Sequence, residues 1–349
     1  ADSPFKPYFS EIVTKVDPPR QVVIGMIDGA YRSPEYDNLA KYVRSVPHQD
    51  LSSVLHSYFT LLSSSGGFQD AVSSVLAIDY DETFALCGDP ARLFVRPVSY
   101  TKAAGPPRGG LKAADFFPHG EGGYRPHFRA EMDTFMEGLD RGVGCVTTTV
   151  FPKMGEVGEP GKSLRMVHCM ANVVYMASRQ LLGPIIVFVN AMRCLGVGVG
   201  FDSSSAECVA EYVAEREGKS FYDSDYKAWD KRLLPEVIKG VLCGYVDLLH
   251  ATGAYSDVMA HRARVLSCLL AHPVSDWNTD IVLHSLGWPS GTAYTSELNC
   301  LFNSFSCFYA LRSPSDYFSR ANIFYGDDAV FETRGETFTA FQATVAKLN

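Results

Sequence analysis

Near the end of the chain two adjacent carboxylates, Asp327 and Asp328, follow Gly326 between the apolar runs Ile323-Phe324-Tyr325 and Ala329-Val330-Phe331. Neighbouring acids repel, so a pair held in place suits a divalent cation, and Mg²⁺ takes hard carboxylate oxygens together with substrate phosphates. Gly-Asp is also ordinary turn chemistry, and on this stretch alone a solvated turn and a metal site stand level. Further upstream, Asp225 and Asp230 form a D-x4-D pair in Asp223-Ser224-Asp225-Tyr226-Lys227-Ala228-Trp229-Asp230. Between the two acidic stretches lies Ser290-Gly291-Thr292-Ala293-Tyr294-Thr295-Ser296-Glu297-Leu298-Asn299. Its small residues let a substrate approach the backbone, and Thr295 and Asn299, at i and i+4, face the same way on a helix. Carboxylates brought from two different elements are what in-line phosphoryl transfer requires, because two cations about 4 Å apart stabilise both the attacking and the leaving oxygen.

The elements that must position these groups follow from period and punctuation. Short β-rich runs broken at Gly-Asp predict a β-hairpin over 322–332 with the acids in its turn. Residues 220–226 predict a strand ending in acid, and Pro235 opens a helix whose apolar face carries Val237, Ile238, Val241, Leu242, Tyr245 and Leu249. The Ser290 loop feeds a helix through Asn303 to about position 311. Helical spacing also marks 51–62, 130–139, 166–182, 206–217, 260–270 and the stretch with Phe338, Phe341, Val345 and Leu348. An apolar pattern resumes over 71–78, a strand is expected at 21–27, loops over 105–123, and a hairpin or long loop over 147–165. Gly161-Lys162-Ser163 is no phosphate loop, since position 156 is Glu where that motif needs Gly.

With 349 residues and 46% hydrophobic content the chain can bury a sizeable core. Its net charge of −8 argues against a uniformly basic nucleic-acid-binding surface. Locally, Arg92, Arg96, Lys102, Arg108, Lys112, Arg125 and Arg129 outnumber Asp115 and Glu121, with Tyr100, Phe116, Phe117, Tyr124 and Phe128 interleaved. That mixture suits a groove that follows a phosphate backbone while bases stack, but on this window alone a solvated charged face fits slightly better. Nine cysteines show no C-x-x-C pair and no zinc spacing, so reduced and mostly buried thiols of an intracellular protein are expected. No signal pattern opens the chain, and the longest apolar run, 181–192, is short for a transmembrane segment.

The stretches with Asp225 and Asp230, with Ser290, Gly291, Thr295 and Asn299, and with Gly326-Asp327-Asp328 resemble motifs A, B and C of viral RNA-dependent RNA polymerases of the picornavirus-like group. Asp-Tyr-x-x-Trp-Asp in particular is close to the calicivirus form. At about 6% per residue, S-G-x3-T-x3-N alone arises by chance in roughly one chain in several hundred. Phe151-Pro152-Lys153 with Glu156, then Gly161-Lys162-Ser163-Leu164-Arg165, is similar to motif F. Thr101-Lys102-Ala103-Ala104-Gly105-Pro106-Pro107 is similar, more weakly, to motif G.

The resemblance implies an α+β right-hand fold, with an antiparallel palm sheet packed on helices and fingers around it. Fingers would occupy 1–180 and return over 243–286, and palm would occupy part of 181–242 and all of 287–349. It implies Asp225 and Asp327 as ligands of two Mg²⁺ ions, with Mn²⁺ as a substitute and Asp328 assisting. Asp230 and Asn299 would read the ribose 2′-hydroxyl, with Ser290, Gly291 and Thr295 in the same nucleotide site. Lys153, Lys162 and Arg165 would neutralise the triphosphate, and Thr101, Lys102, Gly105 and Pro106 would line the template entry. Template and product RNA and NTPs are the implied partners, and a replication complex in the host cytoplasm the implied place. Residues 329–349 have room for a motif D helix, with Lys347 as the counterpart of its general acid, but not for a thumb. The chain is therefore expected to be a fragment or to take its thumb from a second polypeptide. Reverse transcriptases are disfavoured by Asp230 and Gly326. Two other readings stand beside this one: a polymerase-like binding or assembly subunit, and a D-x-D phosphatase or glycosyltransferase built on Asp223-Ser224-Asp225.

Overall fold

The computed structural model describes residues 48–88, 95–107, 109–117, 123–152, 166–192, 214, 221–224, 226, 229, 232–277, 280–283, 287–288, 290–311, 318 and 322–332. Leu51, Val54, Tyr58 and Leu62 recur at helical spacing, and all are buried along α1 (His48–Ser63). After the break at Gly66 and Gly67 comes α2 (Phe68–Leu76). The Asp81 carboxylate then caps α3 (Glu82–Cys87) by accepting from the Phe84 amide at 3.0 Å. A loop with one 3-10 turn at Lys112–Ala114 leads to α4 (Pro126–Asp140), which Pro126 opens.

Next come β1 (Thr147–Pro152), β2 (Met166–Met170), α5 (Asn172–Ala191), β3 (Phe221–Ser224), α6 (Pro235–Ala251) and α7 (Asp257–Leu270). The order closes with β4 (Val274–Trp277), β5 (Asp280–Leu283), α8 (Thr295–Leu311), β6 (Ile323–Tyr325) and β7 (Asp328–Glu332). Two sheets result, one ordered β2-β1-β4-β5 and one ordered β3-β7-β6. In the larger sheet only β1 and β4 run parallel. In the smaller one every pair is antiparallel.

Most of the spacing readings hold, including the six-residue apolar face of α6, every member of which is buried. One does not. Residues 166–170 form strand β2, not the first turns of a helix, because they pair with β1 from Thr148↔Met170 to Pro152↔Met166. The helix begins at Asn172, where that ladder ends. Pairing across the sheet overrides an apolar spacing that suits either element when the run is short. The expected strand at 21–27, the helix at 206–217 apart from helical Ala214, and the last helix lie outside the described residues.

Helix α5 is the centre of the core. Its length and composition would let it cross a bilayer, but 83% of its most apolar window is buried inside the protein. Around it pack α2, α3, α4, α6 and α7. Tyr58 of α1 ties the helices on the other side together. Its hydroxyl lies 3.2 Å from both Tyr245 Oη and Ser304 Oγ, and its ring meets Phe305, Phe308 and Phe318 edge-on. Such aromatic pairs add about 0.5–1.5 kcal/mol each beyond the area they bury.

A smaller core joins Phe116, Tyr124, Phe128 and Met132 to Ala85, Leu86 and Met176. Of the aromatic residues interleaved with the basic ones, Phe116, Tyr124 and Phe128 are therefore buried against one another and are not stacking platforms for bases, while Tyr100 is half-buried and Phe117 exposed. Nor do all the cations form a solvated face. Arg129 pairs with Glu82 at 2.7 Å. Lys112 is buried, with Nζ 3.2 Å from the centre of the Tyr175 ring. Burial pulls its ammonium down to about 8, the nearby Arg179 adds to the effect, and Cys169 and Asp115 oppose it.

An ammonium that loses its proton near 8 when folded and near 10.5 when unfolded weakens the fold below the first value and ceases to do so above the second. Urea melts across that range should show the wild type gaining stability relative to Lys112→Met as pH rises from about 8 to 10.5. A constant difference between the two proteins would show that Lys112 titrates normally.

Candidate active site

Strands β6 and β7 are joined by Gly326 and Asp327, with Tyr325 opposite Asp328. Gly326 sits at φ +65, and a Cβ there would meet nothing within 4 Å. Glycine is needed for the left-handed backbone and not for room. Asp327 is half-buried in the turn and Asp328 is exposed at the start of β7. On its other edge β7 pairs with β3, in the register Phe221↔Glu332 to Ser224↔Ala329. The strand that leads in sequence to Asp225 is thus hydrogen-bonded to the strand that begins at Asp328. Asp225 and Asp230 themselves lie outside the described residues, which contain no cluster of three or more His, Cys, Asp or Glu side chains. The carboxylates of Asp327 and Asp328 are donors of the hard-oxygen type that Mg²⁺ takes.

The turn is held from beneath by α8. Asn303 is fully buried, and its Nδ2 donates to the carbonyl oxygens of Gly326, Asp327 and Asp328 at 3.2, 2.9 and 3.2 Å. The Gly326 amide donates to Cys300 Sγ at 3.0 Å. One helical turn before Asn303, Asn299 accepts from Trp229 Nε1 through its Oδ1 at 3.0 Å. With the amide oxygen taken by the indole, Nδ2 is the end of Asn299 that can donate to a ligand. Trp229 is itself buried and packs on Tyr226, 4.6 Å between ring centres.

The loop before α8 is fixed by backbone contacts. The Ser290 carbonyl accepts from the His168 amide of β2 at 2.8 Å. Gly291 lies at φ +102, and a Cβ there would stand 2.2 Å from the His168 carbonyl oxygen. Only glycine fits. Thr295 Oγ1 donates to the Thr292 carbonyl at 2.6 Å, closing the first turn of α8. Tyr294 takes φ +57, and its hydroxyl donates to the Arg179 carbonyl at 3.1 Å. Arg179, buried on α5, donates through Nε to the Ala85 carbonyl and through Nη2 to that of Arg96, and its guanidinium lies 5.6 Å from the Tyr294 ring. Burial raises the Glu297 carboxyl, in the first turn of α8, above its ordinary value.

Strand β2 also anchors the loop with the expected template residues. Gly105, at φ +73, would drive a Cβ to 2.2 Å from the Met170 carbonyl oxygen, while Thr101 and Lys102 are exposed and Pro106 is half-buried. Lys153, Lys162 and Arg165 lie outside the described residues. Their segment leaves β1 at Pro152 and enters β2 at Met166, which face each other in the ladder. The thiols differ from expectation. Of the seven described, all unbridged, only Cys300 and Cys307 are fully buried, and Cys268 is exposed. Burial pushes the Cys307 thiol up to about 12.

Spacing placed Ser290, Gly291, Thr295 and Asn299 on one loop and helix, as found; it put both acids in the hairpin turn, whereas only Asp327 lies there and Asp328 is the first residue of β7, paired with Tyr325. It did not single out Asn303, Cys300, His168 or Arg179. The available signal for Asn303 was a polar residue four after Asn299 among buried Leu298, Leu301, Phe302 and Phe305.

An acid-tipped hairpin in a small antiparallel sheet backed by helices, with a second sheet and a glycine-anchored loop beside it, is the fold of a right-hand polymerase. The solved Sicinivirus 3Dpol RNA-dependent RNA polymerase is similar to this chain with a TM-score of 0.57 at 19% identity, over 79% of this chain and 60% of that one. The family model described as viral RNA-dependent RNA polymerase matches residues 121–349. The chain belongs to that family. No curated protein matches it in sequence.

Because both its φ and the facing His168 carbonyl exclude a side chain, Gly291→Ala should destabilise the protein by about 2 kcal/mol or more, a cost typical of strain at a special backbone position. Thermal and urea melts would measure it. An unchanged midpoint would mean that this loop is not anchored on β2.

Proposed function

We propose that this chain carries out template-directed RNA synthesis by nucleotidyl transfer to the 3′ end of a growing RNA. The observation that supports it most is the pairing of β3, which leads to Asp225, with β7, which starts at Asp328 and follows the Asp327 turn. Family membership supplies the reaction class, and the pairing supplies a rigid way to bring acids from two stretches together.

In this reading Asp225 and Asp327 hold two Mg²⁺ ions, or Mn²⁺ in their place, with Asp328 assisting. When bound, the metal supplies activation of the 3′-hydroxyl and polarisation of the α-phosphate. The remaining groups bind and orient. Asn299, its oxygen held by Trp229, donates through Nδ2 to the ribose 2′-hydroxyl while Asp230 accepts from it, a pairing possible because that hydroxyl is both donor and acceptor. Ser290, Gly291 and Thr295 shape the loop beside the sugar. Lys153, Lys162 and Arg165 neutralise the triphosphate. Thr101, Lys102, Gly105 and Pro106 lie along the incoming template. Base choice falls to Watson-Crick pairing, so the protein reads geometry and backbone.

By the same resemblance, 1–180 and 243–286 form fingers, and palm occupies the end of 181–242 and all of 287–349. Template, product RNA and NTPs are the partners, in the host cytoplasm.

Incorporation of labelled NTPs on a primed RNA template with Mg²⁺ tests the reading. Asp327→Ala should reduce extension to background while leaving the melting temperature unchanged or higher, since it relieves carboxylate repulsion. Retained synthesis would remove Asp327 from the mechanism. Absence of extension by the wild type would favour a polymerase-like binding subunit. Asp230→Ala should mainly weaken discrimination between ribo- and deoxyribonucleotides; unchanged discrimination would count against its sugar role.

A further inference from the structure

The hairpin at Gly326–Asp328 leaves Asp328 exposed and Asp327 half-buried, and its main-chain carbonyls face α8. A buried carbonyl left without a donor costs about 1–3 kcal/mol. Three of them here converge on one nitrogen, Asn303 Nδ2, within 3.2 Å. Two amide protons shared among three acceptors fix the plane of that amide. Its orientation is fixed as well, because a flipped amide would set its oxygen against three carbonyl oxygens.

The other end of the amide is also engaged. Cys307, one turn along α8, donates its S–H to Asn303 Oδ1 at 3.5 Å. Tyr226 Oη lies 3.5 Å from the same sulfur. Since the thiol proton is committed to Asn303, the tyrosine hydroxyl is the donor in that contact. The hydrogen bonds therefore run in one direction, from Tyr226 to Cys307 to Asn303 and on to the turn. Tyr226 is the residue after Asp225 in the chain.

We propose that Asn303 is the positioning residue of this site: through its two ends, one buried amide sets the hairpin turn bearing Asp327 relative to the segment bearing Asp225. Asn303 touches no substrate and acts through the main chain of the turn. Because it recognises carbonyls and not side chains, it holds the acids without competing for their oxygens. The proposal rests on the reading of Asp327 as a metal-holding acid only for its effect on metal, and not for its effect on the turn.

Two readouts on the full chain separate these. Hydrogen exchange measures the turn directly. Asn303→Leu, which keeps the volume and removes the amide, should raise exchange at least tenfold in peptides covering 322–332 and 221–226, with the remainder of α8 unchanged. A purely packing role would instead raise exchange along the whole of α8 and leave the hairpin no worse than its surroundings. Mn²⁺ titration by electron paramagnetic resonance, with Asp327→Ala as the reference, measures the consequence. Asn303→Leu and Asn303→Asp should weaken the Asp327-dependent Mn²⁺ binding at least tenfold, well below the melting temperature of each variant. Should the Asn303 variants fail to fold, Tyr226→Phe breaks the relay at its far end, and its 221–226 and 322–332 peptides should exchange several-fold faster.

Unchanged exchange at the hairpin in a folded Asn303→Leu, or in Tyr226→Phe where the former does not fold, would overturn the proposal. So would Mn²⁺ binding as tight in Asn303→Leu as in the wild type. If the wild type shows no Asp327-dependent Mn²⁺ binding, the metal reading of Asp327 fails, and hydrogen exchange alone decides the positioning role.

Discussion

Two loops reach strand β2 at points where a side chain cannot exist. Gly105 stands against the Met170 carbonyl and Gly291 against the His168 carbonyl, each close enough that a Cβ would fall 2.2 Å from oxygen. Backbone packed on backbone is the stiffest contact available to a loop, since no rotamer can relax it. Much else depends on this. The Ser290 loop leads straight into α8, and α8 carries the residues that hold the acidic turn. Strand β2 in turn is fixed in its sheet by five paired positions with β1. Arg179 reinforces the arrangement from the core side, spanning the Ala85, Arg96 and Tyr294 regions from a single buried position.

Helix α8 is the element through which the two sheets meet the chemistry. One face packs on α1 and α6 around Tyr58, largely through apolar side chains but with the Ser304 hydroxyl bonded to that of Tyr58. Beyond its first turns its polar residues Asn303, Ser304 and Ser306 are buried, each with a partner. A buried amide is costly unless both ends are satisfied, and where they are satisfied it specifies one arrangement among several that packing alone would allow. That gives a helix of ordinary composition a directional grip on the hairpin.

How much of this could be read in advance depends on whether the signal was local. The Gly326 turn, the strand before Asp225 and helix α6 were legible because period and turn chemistry are set within a few residues. So was the loop and helix from Ser290 to Asn299. Strand β2 was not, because Met166 to Met170 is apolar enough to extend a helical pattern and its identity comes from a partner strand. The rings of Phe116, Tyr124 and Phe128 misled for a related reason: their spacing among arginines and lysines says nothing about whether they face a ligand or one another. Asn303 was hidden by its position, since what marks it is the set of main-chain carbonyls brought to it from more than twenty positions away.

The pairing of Ser224 with Ala329 has a further consequence for how such a protein can vary. Sliding one strand past the other by a single residue would move it about 3.3 Å and turn every side chain to the opposite face. No gradual path of small shifts leads from one working arrangement to another. An insertion or deletion within either strand is therefore costly unless a bulge absorbs it, whereas the connections accept changes of length far more readily. Diversity among chains of this design should accumulate in loops while the acid-bearing strands keep a fixed count, like the teeth of two meshed gears.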